Sequence, residues 1–156
     1  MHFLKQPFLI FIPVAFLLGS CSNIDVFEKN IVIPNYHWSS NFIARGDFII
    51  SDTSAAYNLY IIVRHTDAYA YNNIWISAGL QQPGESMLLQ KINLSLGDDR
   101  TGWEGIGMND IWETRKLIGR LPKMKKGTYR FQLGQIMRDD PLLHVMSVGL
   151  RIEKAS

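Results

Sequence analysis

Four stretches of this chain alternate apolar and polar residues with period two, and such a pattern buries its apolar side chains only as strands with one covered sheet face. Ile74, Ile76, Ala78 and Leu80 share a face ahead of a turn signal at Pro83-Gly84. Leu88, Ile92, Leu94 and Leu96 share another before Gly97-Asp98-Asp99 breaks the run. Tyr129, Phe131 and Leu133 alternate with Arg130 and Gln132, and Met146, Val148, Leu150 and Ile152 alternate with Ser147, Gly149, Arg151 and Glu153. Tyr57 to Val63 is apolar at nearly every position, as in a central strand covered on both sides or an aromatic-rich exposed face. Further strands are expected at Val26 to Ile33, Phe42 to Ile50 and Glu113 to Ile118, about eight in all. The fold class is therefore all-β: a single antiparallel β-sandwich of jelly-roll type, with strand order left open by the pattern. Short helical turns are expected from Asn109 to Trp112 and from Gly134 to Arg138. The glycine-rich stretch from Gly97 to Met108 reads as an irregular loop.

The amino terminus obeys a different rule. Lys5 supplies a positive start, Phe8 to Leu18 an apolar run, and Leu18-Gly19-Ser20-Cys21 ends it with two small residues before the chain's only cysteine. This is a lipoprotein signal peptide with its lipobox, and Cys21 is the lipidation site, carrying palmitate-type acyl chains. The run is interrupted by Pro13 and is too short to cross ~30 Å of hydrocarbon comfortably. Residues 1–20 are the signal peptide, 21–28 the lipidated start and tether, and 29–156 the sandwich domain. Removing residues 1–20 from the 156 leaves 136, enough for one domain with a real core. With Cys21 acylated no thiol is left for a disulfide, a metal cluster or a nucleophile.

Charge excludes some partners. The chain has 16 basic and 14 acidic residues, formally +2, and loss of Lys5 with the leader leaves +1. The densest basic group, Lys123, Lys125, Lys126 and Arg130, flanks a turn at Lys126-Gly127 and reads as a solvated face, too small to track a nucleic-acid backbone.

Chemistry-bearing constellations are thin. His65 and Asp67 stand close in Arg64-His65-Thr66-Asp67, but no third group or nucleophile elbow accompanies them. His37 and His144 form no zinc spacing. Gly102-Trp103-Glu104-Gly105-Ile106-Gly107 lacks the order and lysine of a phosphate loop, and Asp98, Asp99 and Glu104 miss the alternation of an EF-hand calcium loop. No catalytic residue, cofactor or metal ligand is assigned. Tyr57, Tyr60, Tyr69, Tyr71 and Trp75 with Asn58, Asn72 and Asn73 suit a core, a protein interface or a sugar-binding face. The candidate partner contacts are Arg64, His65, Asp67, Tyr69, Trp103, Glu104 and Trp112, polar or aromatic groups expected in loops.

Arg64-His65-Thr66-Asp67-Ala68-Tyr69, continuing through Tyr71-Asn72-Asn73-Ile74-Trp75, resembles the GldH gliding motility lipoproteins of the Bacteroidetes. So do Gly102-Trp103-Glu104-Gly105, Asp110-Ile111-Trp112-Glu113, Gln135-Ile136-Met137-Arg138 and the closing run from His144 to Arg151. The resemblance implies a cell-envelope lipoprotein required for gliding, held to a membrane through Cys21, with other gliding or type IX secretion proteins as partners. It implies no enzymatic activity. An outer-membrane position facing the periplasm is expected, and the alternative function is a carbohydrate-binding sandwich recognising peptidoglycan or surface polysaccharide.

Overall fold

A computed structural model describes residues 26–155; the leader, the lipobox and Cys21 lie outside them. In chain order the strands are β1 (Val26–Val32), β2 (His37–Trp38), β3 (Ala44–Ile50), β4 (Tyr57–Thr66), β5 (Asn73–Gln81) and β6 (Leu88–Ser95). They continue with β7 (Gly97–Asp98), β8 (Gly102–Trp103), β9 (Ile106–Met108), β10 (Ile111–Leu121), β11 (Gly127–Gln135), β12 (Leu142–Leu143) and β13 (Val145–Lys154). A 3-10 turn, Pro34–Tyr36, follows β1.

The long strands form two antiparallel sheets, β1-β13-β4-β10-β9 and β3-β11-β5-β6. The order has a simple origin. β5 and β6 form a hairpin; outward from it β4 pairs β10, β3 pairs β11 and β1 pairs β13. One long antiparallel ribbon has thus been rolled so that successive rungs fall in alternate sheets, which is the jelly roll expected from the alternation. Short ribbons β2/β12 and β7/β8 cap one end.

Period-two patterning fills the space between the sheets. Leu59, Ile61 and Val63 on β4 face Phe131 and Leu133 on β11, with Ile74, Ile76, Val148 and Leu150 completing the layer. Each such side chain contributes ~1.5–3 kcal/mol by leaving water. Phe48 and Tyr129 stack at 5.1 Å. Trp38 is fully buried, its indole N–H donating to the Phe42 carbonyl at 2.9 Å.

Several expectations need correction. Val26 to Glu28, assigned to the tether, pair with Arg151 to Glu153, so these three residues belong to the first strand of the sandwich. The helical turns are absent: Trp112 lies in β10, and Gly134 and Gln135 close β11, because ladder pairing to β4 and β5 satisfies their backbones first. The stretch from Gly97 to Met108 is not irregular, since β7, β8 and β9 lie within it. β4 runs on to Thr66 and β10 spans Ile111–Leu121, longer than the Glu113 to Ile118 expectation. Leu88 is 68% exposed, because β6 is an edge strand beside an open seam. That seam, between β6 and the β10 bulge at Leu117/Gly119, is an apolar groove of about 480 Å³ reaching down to Phe131.

Candidate functional site

The register divides the sandwich into two poles. Val26 pairs with Glu153, Glu153 with Asn58 and Asn58 with Arg120, so these four form one row across the five-stranded sheet. This is the entry pole, where the described chain begins. The connections 51–56, 82–87 and 122–126 close it. At the opposite, far pole lie the connections 33–43, 67–72, 96–110 and 136–144.

Charge is sorted between the poles. The far-pole connections carry Asp67, Asp98, Asp99, Asp110, Asp139 and Asp140 against Arg100 and Arg138. Glu104 is drawn down toward β10 by Lys116. Among the described residues the entry pole carries Arg120, Lys123, Lys125, Lys126 and Lys154 against Asp52, Glu85 and Glu153. A chain that is nearly neutral in sum is therefore acidic at one end and basic at the other.

The far-pole connections hold one another in place. Asp67 N–H donates to the Asp110 carbonyl at 2.7 Å, and Leu96 N–H to the Asn72 carbonyl at 2.8 Å. The Tyr71 hydroxyl donates to Asp139 Oδ2 at 2.6 Å, which holds the phenol proton and pushes the Tyr71 pKa up. Ser40 N–H donates to Asp140 Oδ1 at 2.8 Å, and the Ser40 hydroxyl bonds the same carboxylate, lowering its pKa. Such cross-bonding fixes the pole before any partner arrives.

Beneath it lies an aromatic knot. The His65 and Trp103 rings meet edge to face at 4.6 Å, His65 and Tyr69 lie at 5.4 Å, and Tyr69 meets Tyr71 at 5.9 Å. His65 follows Leu59, Ile61 and Val63 in phase on β4, so it points into the core and is 0% exposed. Its Nδ1 donates to the Thr66 carbonyl at 2.9 Å, which leaves Nε2 as the acceptor of a neutral ring, buried without a partner among the described residues. Burial lowers its pKa against the smaller raising effect of that hydrogen bond. Tyr69 is 4% exposed, and its hydroxyl donates to the Asn73 carbonyl at 3.0 Å; burial raises its pKa.

The seven candidate contacts thus separate. Asp67 is exposed on the far-pole surface. His65 and Tyr69 are core residues and Trp103 is half-buried on His65, so these three support the surface rather than form it. Arg64 and Glu113 lie opposite each other on β4 and β10, with Arg64 Nε 3.2 Å from Glu113 Oε2. Arg64 is therefore a strand residue, not a loop one, and Trp112 on β10 packs flat over Gly107. Glu104 is a fastener: Ser95 Oγ donates to it at 2.7 Å, Lys116 pairs with it, and its own carbonyl accepts from Thr114 Oγ1 at 2.8 Å. The Lys116 contact and then the Ser95 hydroxyl lower its pKa. Among the described residues no three His, Cys, Asp or Glu side chains gather as a metal site. The β2/β12 ribbon places His37 opposite Leu143, next to His144.

Sequence reasoning missed Ile106 and Met108, 73% and 72% exposed on the edge strand β9, Ile106 opposite Glu113 and Met108 opposite Ile111, next to Asp110. Their alternation was legible, yet nothing in the sequence showed that no strand covers them. It also missed a cleft of about 300 Å³ between Tyr71, Trp103, Asp98 and Asp99.

The family model described as GldH lipoprotein matches residues 25–152. The chain is similar to a gliding motility lipoprotein GldH homolog from Christiangramia forsetii, 26% identical over 154 residues and covering 94% of each chain. It is also similar to the gliding motility lipoprotein GldH of Flavobacterium johnsoniae, 24% identical over 152 residues, 93% of this chain and 94% of that protein. Among solved structures, the infectious bursal disease virus VP2 subviral particle aligns at a TM-score of 0.26 and 11% identity, over 81% of this chain and 32% of that one.

Proposed function

The chain belongs to the GldH lipoprotein family, and we propose that it serves gliding motility as a non-enzymatic interaction module: Cys21 anchors it by lipid, and the far pole contacts other gliding or type IX secretion proteins. The observation that carries this reading is the far pole itself, a set of cross-bonded acidic connections with Ile106 and Met108 exposed among them. Apolar side chains rimmed by charge on a rigid surface suit a protein partner with a basic, apolar face. The anchor end and the contact end are opposite, because Val26, five residues after Cys21, lies at the entry pole. Ser22 after the cysteine and the absence of an acidic run suit sorting to the outer membrane, with the domain in the periplasm.

The test is cross-linking of the tagged protein in intact cells, then mass spectrometry, with wild type compared against Asp67→Ala/Ile106→Ala and against Cys21→Ala. Gliding or secretion proteins should be recovered at stoichiometric yield and lost from the far-pole variant. Full recovery and full motility in that variant would remove the far pole as the contact.

The cleft beside Trp103 and Tyr71 supports a second reading, binding of a peptidoglycan or polysaccharide sugar between an aromatic ring and paired aspartates. Cell-wall pull-down with a Tyr71→Ala control separates it: glycan retention lost in the variant would move this reading ahead.

A further inference from the structure

We propose that the entry pole is a second membrane contact, a basic surface that lies on anionic phospholipid headgroups beside the acyl anchor; this rests on the reading of Cys21 as the lipidated residue. Two independent observations converge on it. The first is reach. Four residues separate Cys21 from Val26, and the five residue steps between them span at most ~17 Å fully extended. The row Val26, Glu153, Asn58, Arg120 is three strand spacings wide, ~14 Å. A lipid on Cys21 therefore keeps the bilayer within a molecular layer of every connection at this pole, and keeps it far from the acidic one.

The second observation is charge. Among the described residues three acids stand at this pole: Asp52 pairs with Lys154 at 3.3 Å, Glu85 with Lys125, and Glu153 with Arg151 at 2.9 Å. Arg120, Lys123 and Lys126 are exposed and make no ion pair among the described residues. Three cations without an ion pair among the described residues thus stand at the pole where the lipid-bearing segment enters. The sequence places two of them in a four-residue stretch that reads as a solvated face; the fold turns that face toward the anchor.

Such a patch adds an electrostatic term to the acyl chains. Each lysine or arginine near an anionic surface is worth about a fivefold preference for it, so the three together bias orientation by on the order of a hundredfold. The far pole, with its six aspartates, is repelled by the same surface and is held away from it. The result is a domain that stands with its partner-binding end outward instead of tumbling on its tether.

The experiment uses the acylated protein purified in detergent and reconstituted into phosphatidylcholine vesicles with or without phosphatidylglycerol. Flotation is measured first, then acetylation of individual lysines by a water-soluble reagent, read by mass spectrometry, with Lys91 on the outer face of β6 as internal reference. Lys123 and Lys126 should react about fivefold more slowly, relative to Lys91, on the anionic vesicles, and high salt should erase the difference. Flotation with equal acetylation on both vesicle types overturns the basic contact and leaves the anchor standing. Failure to float with either vesicle overturns the anchor reading and the contact with it. Protection that appears only after an envelope extract is added assigns the patch to a protein and also overturns the proposal.

Discussion

The Trp103 ring, carried on a two-residue strand, meets the edge of the His65 imidazole at 4.6 Å, and this contact seats the 96–110 connection on β4. The imidazole is neutral, fully buried and bonded through Nδ1 to its own strand, so it acts as a flat packing surface.

Removing either ring should therefore cost stability by loss of packing. His65→Ala is expected to lose ~2–4 kcal/mol in urea unfolding, the cost of a large-to-small change at a buried aromatic position, and Trp103→Ala, at a half-buried one, ~1–3 kcal/mol. The double variant should lose less than the sum, by the ~0.5–1.5 kcal/mol that an aromatic pair adds beyond burial. Additive losses would show that the rings do not couple.

Acid should weaken the fold in two windows. His65 has its folded pKa lowered below the ordinary 6.5, so the unfolded chain takes up the proton first; the stability is fully present above pH 6.5 and is lost as pH falls from there toward the folded pKa. The carboxyl of Asp52 is lowered from 3.8 to about 2, chiefly by the Ser54 hydroxyl, so its contribution is present above 3.8 and is lost as pH falls toward 2. Thermal melts of wild type and His65→Gln across this range check it: the variant should lack the upper window and keep the lower.

Gly105 sits at φ 99°, and a Cβ there would lie 2.1 Å from the Glu113 carbonyl oxygen, with no flexible group to yield. Gly105→Ala should cost ~2–4 kcal/mol and loosen the β9/β10 pairing. At Gly119, where a Cβ meets nothing within 4 Å, Gly119→Ala should be neutral or stabilising by up to ~1 kcal/mol. Melting temperatures of the two variants should move in different directions or by very different amounts.

Glu104 ties the same connection to β6 and β10. Glu104→Gln keeps the shape and a hydrogen bond to Ser95 but loses the Lys116 ion pair, and the expected cost is ~1 kcal/mol or less because the side chain is 40% exposed and solvent screens the pair. Hydrogen exchange should quicken over residues 96–110 with the core strands unchanged.

Much of this molecule was legible in the chain. Alternation at Ile74 to Leu80, Tyr129 to Leu133 and Met146 to Ile152 assigns inward and outward faces, because a strand has no other way to bury every second residue. In-phase extension of the Tyr57 to Val63 run also reaches His65, a burial signal that the neighbouring polar residues obscured. The family likeness and the eight long strands follow from local pattern alone.

Tertiary structure decided what depends on residues distant in sequence. Rolling the ribbon places β1 beside β13 and brings Val26 into one row with Arg120, and no local pattern encodes that pairing. The same rolling sends alternate connections to opposite ends, which separates Lys123 and Lys126 from Asp98 and Asp99, although the composition is almost neutral. The sequence by itself determined which side chains must leave water, a property of each residue and its nearest neighbours. Only the fold decided where the charges that stay in water are gathered, because that follows from the order in which the strands pair.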